Sequence, residues 1–237
     1  MIPTKVNHFR ALGALALSLA CTPSGNTRQG AETTTVARSE TASVAAKTAA
    51  PDTNLTSADL ARIQGSASAP VWVIEVSDFQ CPYCKQWHDQ TYPALRDQYV
   101  KTGKIRLAYV NFPLESHAHA WPAAESAMCA GAQGKFWQMH DGLFNTQGRW
   151  ESLTSTTAVF DSLAQANGLD MNRWHDCVKS GMMKRLIQAD HDRASTAGVT
   201  STPSFLIGSK ILMGAQPIEE LRKAIDSAQV ASGKTPH

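Results

Sequence analysis

Apolar and polar positions divide the chain into short runs with strand character and a long central stretch with helical spacing. Val71-Trp72-Val73-Ile74-Glu75-Val76 is apolar except for one acid, which predicts a buried strand. Lys85 to Val100 predicts a helix that ends near Gly103. Ile105-Arg106-Leu107-Ala108-Tyr109-Val110 is rich in strand formers and is closed by Pro113. From about residue 116 to 197 the pattern becomes helical, with segments over 123–132, 136–144, 158–166, 172–178 and 182–197. Asn167-Gly168 marks one helix stop. Ser204-Phe205-Leu206-Ile207 and Lys210-Ile211-Leu212-Met213 flank Gly208-Ser209, a two-residue turn that predicts a hairpin. Pro217 to Ala228 is the closing helix. Some eighty residues of helix between two blocks of strand predict a helical subdomain inserted into an α/β core.

The ends read differently. Lys5 and Arg10 precede the apolar run Ala11 to Ala20, the layout of an export signal over residues 1–20. Ten apolar residues are too few to span a bilayer as a helix. Ser18-Leu19-Ala20 leads to Cys21, which offers a lipidation site of bacterial lipoprotein type. Plain secretion and an incidental cysteine are the other readings, because Ser18 stands where that motif usually has Leu. Residues 21–57 are rich in Ala, Thr and Ser and too poor in large apolar residues to offset chain entropy, so they read as a tether. Order is expected from near Ser57, with a short helix over 58–63, a folded domain over 58–230 and a tail over 231–237.

Charge excludes some partners. The 22 Lys+Arg and 20 Asp+Glu become 20 and 20 once residues 1–20 are set aside, since that segment holds two basic residues and no acid. Nothing points to nucleic acid or to a membrane surface.

The candidate chemistry lies at Cys81-Pro82-Tyr83-Cys84, between a predicted strand and a predicted helix. There the first thiol meets unpaired N–H groups and the positive end of the helix dipole, which favour thiolate, the species that attacks disulfides. Cys84, one turn on, suits a resolving thiol. Half of a zinc site and a structural disulfide are the bland alternatives. A structural zinc site needs four ligands, and Cys129 and Cys177 form no second close pair. Pro203 precedes an apolar strand where it cannot donate to the sheet, so a cis bond at a functional turn is one reading, with the isomer left open by the residues alone. His88, two turns past Cys81, reads as surface or groove packing, with catalysis as the other reading; His117, His119 and His140 lack ligand spacing and read as surface or packing residues. Trp87, Trp121, Trp137 and Trp174 read as core or groove lining.

Taken together, residues 73–84, the segment Gly198-Val199-Thr200-Ser201-Thr202-Pro203-Ser204-Phe205-Leu206-Ile207-Gly208 and Gly214-Ala215-Gln216-Pro217 resemble DsbA-like thiol–disulfide oxidoreductases. The resemblance covers about residues 58–230. It implies a thioredoxin fold with an inserted helical subdomain, and a cis Pro203 packed beside Cys81. It implies that Thr202 offers its backbone to a substrate strand while its side chain tunes Cys81, with Pro82 and Tyr83 as the dipeptide between the thiols. Glu75 matches a buried acid of that family, implied to move protons at Cys84; a half-exposed strand residue is the other reading, and no basic partner stands at the family's usual position. A second disulfide, Cys129–Cys177, is implied within the helical subdomain, with free buried thiols as the other reading.

The expected activity is therefore disulfide formation in exported, unfolded or cysteine-containing proteins, by a monomer. A membrane reoxidase of DsbB or VKOR type is implied as partner, and the exchange needs no metal or organic cofactor. A reductase or isomerase running the same pair in reverse stays open, although the tether lacks the composition of a dimerisation module. So does a non-enzymatic module that binds unfolded chains.

Overall fold

The computed structural model describes residues 52–233. The expected signal segment, Cys21, most of the tether and the last four residues lie outside that range. The first helix, α1 (Thr53–Ala61), begins inside the segment read as tether, because the Asp52 carboxylate caps the backbone N–H groups of Asn54 and Leu55.

Five strands form one mixed sheet: β1 (Ile63–Gln64), β2 (Val71–Ser77), β3 (Ile105–Asn111), β4 (Ser204–Ile207) and β5 (Lys210–Met213), in the order β1-β3-β2-β4-β5. Central β2 pairs parallel with β3 and antiparallel with β4, which sets Glu75 between Tyr109 and Phe205. Helices cover both faces of β2, and this burial explains its nearly continuous apolar run. On one face Val71 and Val73 pack with Trp87, Leu107, Phe205 and Leu221. On the other, Val76 packs with Phe112, Ala194 and Val199.

The helix expected over 85–100 is broken. α2 (Pro82–Gln90) starts three residues earlier than its pattern suggests, with Cys81 as N-cap and Pro82 in the first turn, where a missing N–H costs nothing. Pro93 cannot supply the next helical N–H, so the chain stops at Thr91, restarts as α3 (Tyr92–Leu95) and widens into an i→i+5 turn over Arg96–Val100.

The insertion comprises α4 (Ala120–Gly131), α5 (Phe136–Asn145), the short α6 (Gln147–Trp150), α7 (Thr157–Ala166), α8 (Met171–Ser180) and α9 (Lys184–Thr196). A Cys129–Cys177 disulfide with a Cα–Cα distance of 5.8 Å joins α4 to α8. Buried Asp190 of α9 pairs with Arg62 and accepts from the Asn111 side chain at 2.9 Å, tying the insertion to the sheet. The closing helix is α10 (Ile218–Ala231), capped by Pro217. Among the described residues no helix is long and apolar enough to cross a membrane.

Candidate active site

The turn from β2 into α2 is fixed by the buried carboxylate of Asp78. It accepts from the Gln80 N–H at 2.7 Å, the Leu114 N–H at 3.0 Å and His117 Nδ1 at 2.7 Å. Gln147 Nε2 donates to the carbonyls of Phe79 and Cys81 at 2.7 and 3.1 Å, clamping the same turn from the insertion. Cys81 is thereby held as the N-cap of α2 with no side-chain cap of its own, so its sulfur faces the free N–H groups of the first turn. Its thiol donates to the Thr202 carbonyl at 3.5 Å, and the Thr202–Pro203 bond is cis.

The two thiols are driven apart in acidity. Cys81 is lowered to about 6, mainly because the Cys84 thiol donates to its sulfur, with Thr202 and the N–H groups of Cys84 and Tyr83 assisting against the opposing effect of burial. Burial pushes Cys84 well above its ordinary value, and the neighbouring Cys81 sulfur pushes it further. In the thiol form Thr202 offers Cys81 its carbonyl, while its hydroxyl is buried without a partner. The Thr202 side chain is among the groups that lower the Cys81 thiol, so its hydroxyl is placed to donate to the sulfur once Cys81 ionises. Cys84 is fully buried and Cys81 is 3 % exposed, whereas Pro82 and Tyr83 between them lie open to solvent. This arrangement can present one thiolate and hold the second thiol in reserve.

Glu75 is fully buried and neither carboxyl oxygen has a hydrogen-bond partner in the protein. Burial lifts it to about 8. The nearby Ser77 hydroxyl, without good hydrogen-bond geometry, and the His88 charge pull the other way in part. At neutral pH Glu75 is a neutral acid on the sheet face below Cys84.

A sequence-family profile described as Thioredoxin matches residues 57–227. The chain belongs to the thioredoxin family. This thioredoxin-family chain is 35% identical over 171 residues to the Na(+)/H(+) antiporter NhaA 1 of Salinispora arenicola, covering 72% of this chain and 25% of that protein. It thus spans about a quarter of the antiporter's length. It is 28% identical over 166 residues to the probable disulfide bond formation protein D of Bacillus anthracis, covering 68% of this chain and 75% of that one. The crystal structure of Wolbachia pipientis alpha-DsbA1 matches with a TM-score of 0.64 at 22% identity, covering 72% of this chain and 92% of the other. The likeness to DsbA is one of fold, a thioredoxin domain with inserted helices, and the resemblance read from the sequence stands.

Two histidines are packing residues rather than surface ones. His88, expected as surface or groove packing, is buried beneath the insertion, with its ring stacked on Phe144 at 4.9 Å. His140 is fully buried among Phe79, Tyr92, Tyr109, Trp137 and Phe144. Both rings meet one carboxylate oxygen of Asp141, His140 Nδ1 at 2.8 Å and His88 Nε2 at 3.4 Å. The three donor atoms lie within 4.8 Å of one another. The set escaped the sequence because its halves stand on α2 and α5, 53 residues apart. One signal was available: Cys84, Trp87 and His88 share the i, i+3, i+4 spacing of a buried helix face. Trp87 and Trp174 are core residues, and Trp121 and Trp137 are half-buried.

Proposed function

We propose that this chain is an exported protein-disulfide oxidoreductase that forms disulfides in cysteine-containing substrates. The observation that carries the reading is Cys81, held at a helix N-terminus with its thiol pKa lowered and its sulfur against the Thr202 carbonyl. In each cycle a substrate thiolate attacks Cys81 of the Cys81–Cys84 disulfide. The sulfur–sulfur bond breaks, and its electron pair leaves on Cys84. That thiolate is strongly basic, so it takes a proton, and Glu75, a buried acid favoured in its neutral form on the sheet face that α2 covers, is the proposed donor. A second substrate thiolate then attacks the substrate sulfur of the mixed disulfide and expels Cys81 as thiolate. The substrate has lost two electrons and the pair has gained them. A membrane reoxidase of DsbB or VKOR type would remove them. Pro82 and Tyr83 line the open side, and the Thr202–Pro203 backbone would receive the substrate strand.

Export has support beyond the N-terminal pattern, because a structural disulfide such as Cys129–Cys177 persists in oxidising compartments. Cys21 is the proposed lipid anchor, and the protein acts as a monomer. Equilibration with glutathione buffers tests the direction. A potential near or above about −150 mV, toward DsbA at about −120 mV, supports the oxidase. A value near −250 mV, close to thioredoxin at about −270 mV, makes the pair a reductant and overturns it.

A further inference from the structure

The structure assigns a divalent-cation site, suited to zinc, to His88, His140 and Asp141, where α2 meets α5. We propose this site independently of the direction of thiol exchange, which requires no metal.

Three features argue for it. The first is spacing. In a tetrahedral site with bonds of about 2.0–2.2 Å, donors stand roughly 3.3–3.6 Å apart. His88 Nε2 lies 3.4 Å from Asp141 Oδ1, within that range, and His140 Nδ1 lies 2.8 Å from the same oxygen, so a separation of these two by about 0.5–0.8 Å opens the second edge. The second is orientation. His88 Nδ1 lies 3.0 Å from Asp89 Oδ1, and Asp89 Oδ2 accepts from Lys85 Nζ at 2.8 Å. A carboxylate on the far nitrogen fixes the tautomer that turns the Nε2 lone pair inward, the usual support of a metal-binding imidazole. The ring of His140 is held by the aromatic side chains around it, so neither imidazole needs reordering to bind. The third is access. The Asp141 side chain remains 37% exposed, so the carboxylate side of the set reaches solvent, from which an ion and a water as fourth ligand would enter.

Two imidazoles and one carboxylate favour zinc over magnesium or calcium, which prefer all-oxygen shells. A bound ion would cross-link the helix that carries Cys81 and Cys84 to the inserted helices.

The test is zinc titration calorimetry on the oxidised full chain carrying Cys21→Ser, so that no thiolate competes. Cobalt(II) absorption then reports coordination. One equivalent of zinc and the intense visible bands of four-coordinate cobalt are expected. Asp89→Asn, which touches no metal and lies on the surface, is expected to weaken binding about 10–100-fold. Asp141→Asn, which removes a ligand, is expected to weaken it further. Circular dichroism checks that both variants fold. Absence of stoichiometric binding, or equal affinity in the parent and both folded variants, overturns the assignment.

Discussion

Replacing Thr202 by Val tests how the acidity of Cys81 is set. With Cys81 at about 6 against an ordinary 9.0, ionisation at pH 7 favours the reduced pair about 11-fold, roughly 1.4 kcal/mol or 30 mV. A hydrogen bond to a charged group contributes about 1.5 kcal/mol, so losing the Thr202 hydroxyl raises the thiol by about one pH unit. At pH 7 the 11-fold preference falls to about twofold, which makes the variant about 20 mV more reducing. The sign follows from linkage. A lowered thiol pKa stabilises the reduced form above that pKa and loses the effect as pH falls through it. Parent and variant should therefore agree near pH 5 and diverge toward tenfold, about 30 mV, above pH 8. Glutathione equilibration across this range, beside thiolate absorbance, measures both quantities. A gap that does not change with pH, or an unmoved thiolate titration, would refute the reasoning.

Cys81→Ser should abolish exchange, which separates both enzyme readings from a module that only binds unfolded chains, while Cys84→Ser should accumulate substrate mixed disulfides visible on non-reducing gels. Replacing Cys129 and Cys177 by Ser opens a link across 48 residues of sequence and should cost about 4 kcal/mol in urea unfolding, with Cys81–Cys84 kept oxidised. Glu75, lifted from 4.5 to about 8, makes the fold lose stability as pH rises between those values. Oxidised protein should lose about 2–3 kcal/mol between pH 5 and 7 on this account, and Glu75→Gln should remove that slope. The same substitution should slow dithiol oxidation by on the order of 100-fold if, as proposed, Glu75 supplies the proton to Cys84.

The features legible in the sequence are those set by neighbours along the chain. The apolar run of β2, the Cys81–Cys84 spacing and the Gly208-Ser209 hairpin each declare themselves within a dozen residues. β1 has two residues, too few to show a period, and exists because Ile63 pairs with Ala108. The break at Thr91 was signalled by Pro93, but helical spacing continues on both sides and masks it. Glu75 was visible as an acid in an apolar run, but its depth depends on Tyr109, Phe205 and α2 closing over it. The His88–His140–Asp141 set lies furthest from local reading, because only the packing of α5 on α2 creates it.

Polarity in the core beside Cys84 therefore calls for a physical reason. Both oxygens of Glu75, Ser77 Oγ, the Tyr109 hydroxyl and His140 Nε2 are buried without partners in the protein. Each costs on the order of 1–3 kcal/mol, and apolar residues of the same shape would avoid the loss. Glu75, Ser77 and Tyr109 lie on the sheet face toward Cys84, and the Tyr109 ring packs on that of His140. On the proposed mechanism Cys84 accepts a proton as it leaves, which calls for an acid kept neutral nearby, and unpartnered burial favours the neutral form of Glu75. A solvated Glu75, or one whose carboxylate accepted hydrogen bonds, would ionise near its ordinary value and could not donate at neutral pH. On this proposal the destabilising feature and the chemical one are the same, with the Cys129–Cys177 bridge and the Arg62–Asp190 pair holding the insertion in place around it.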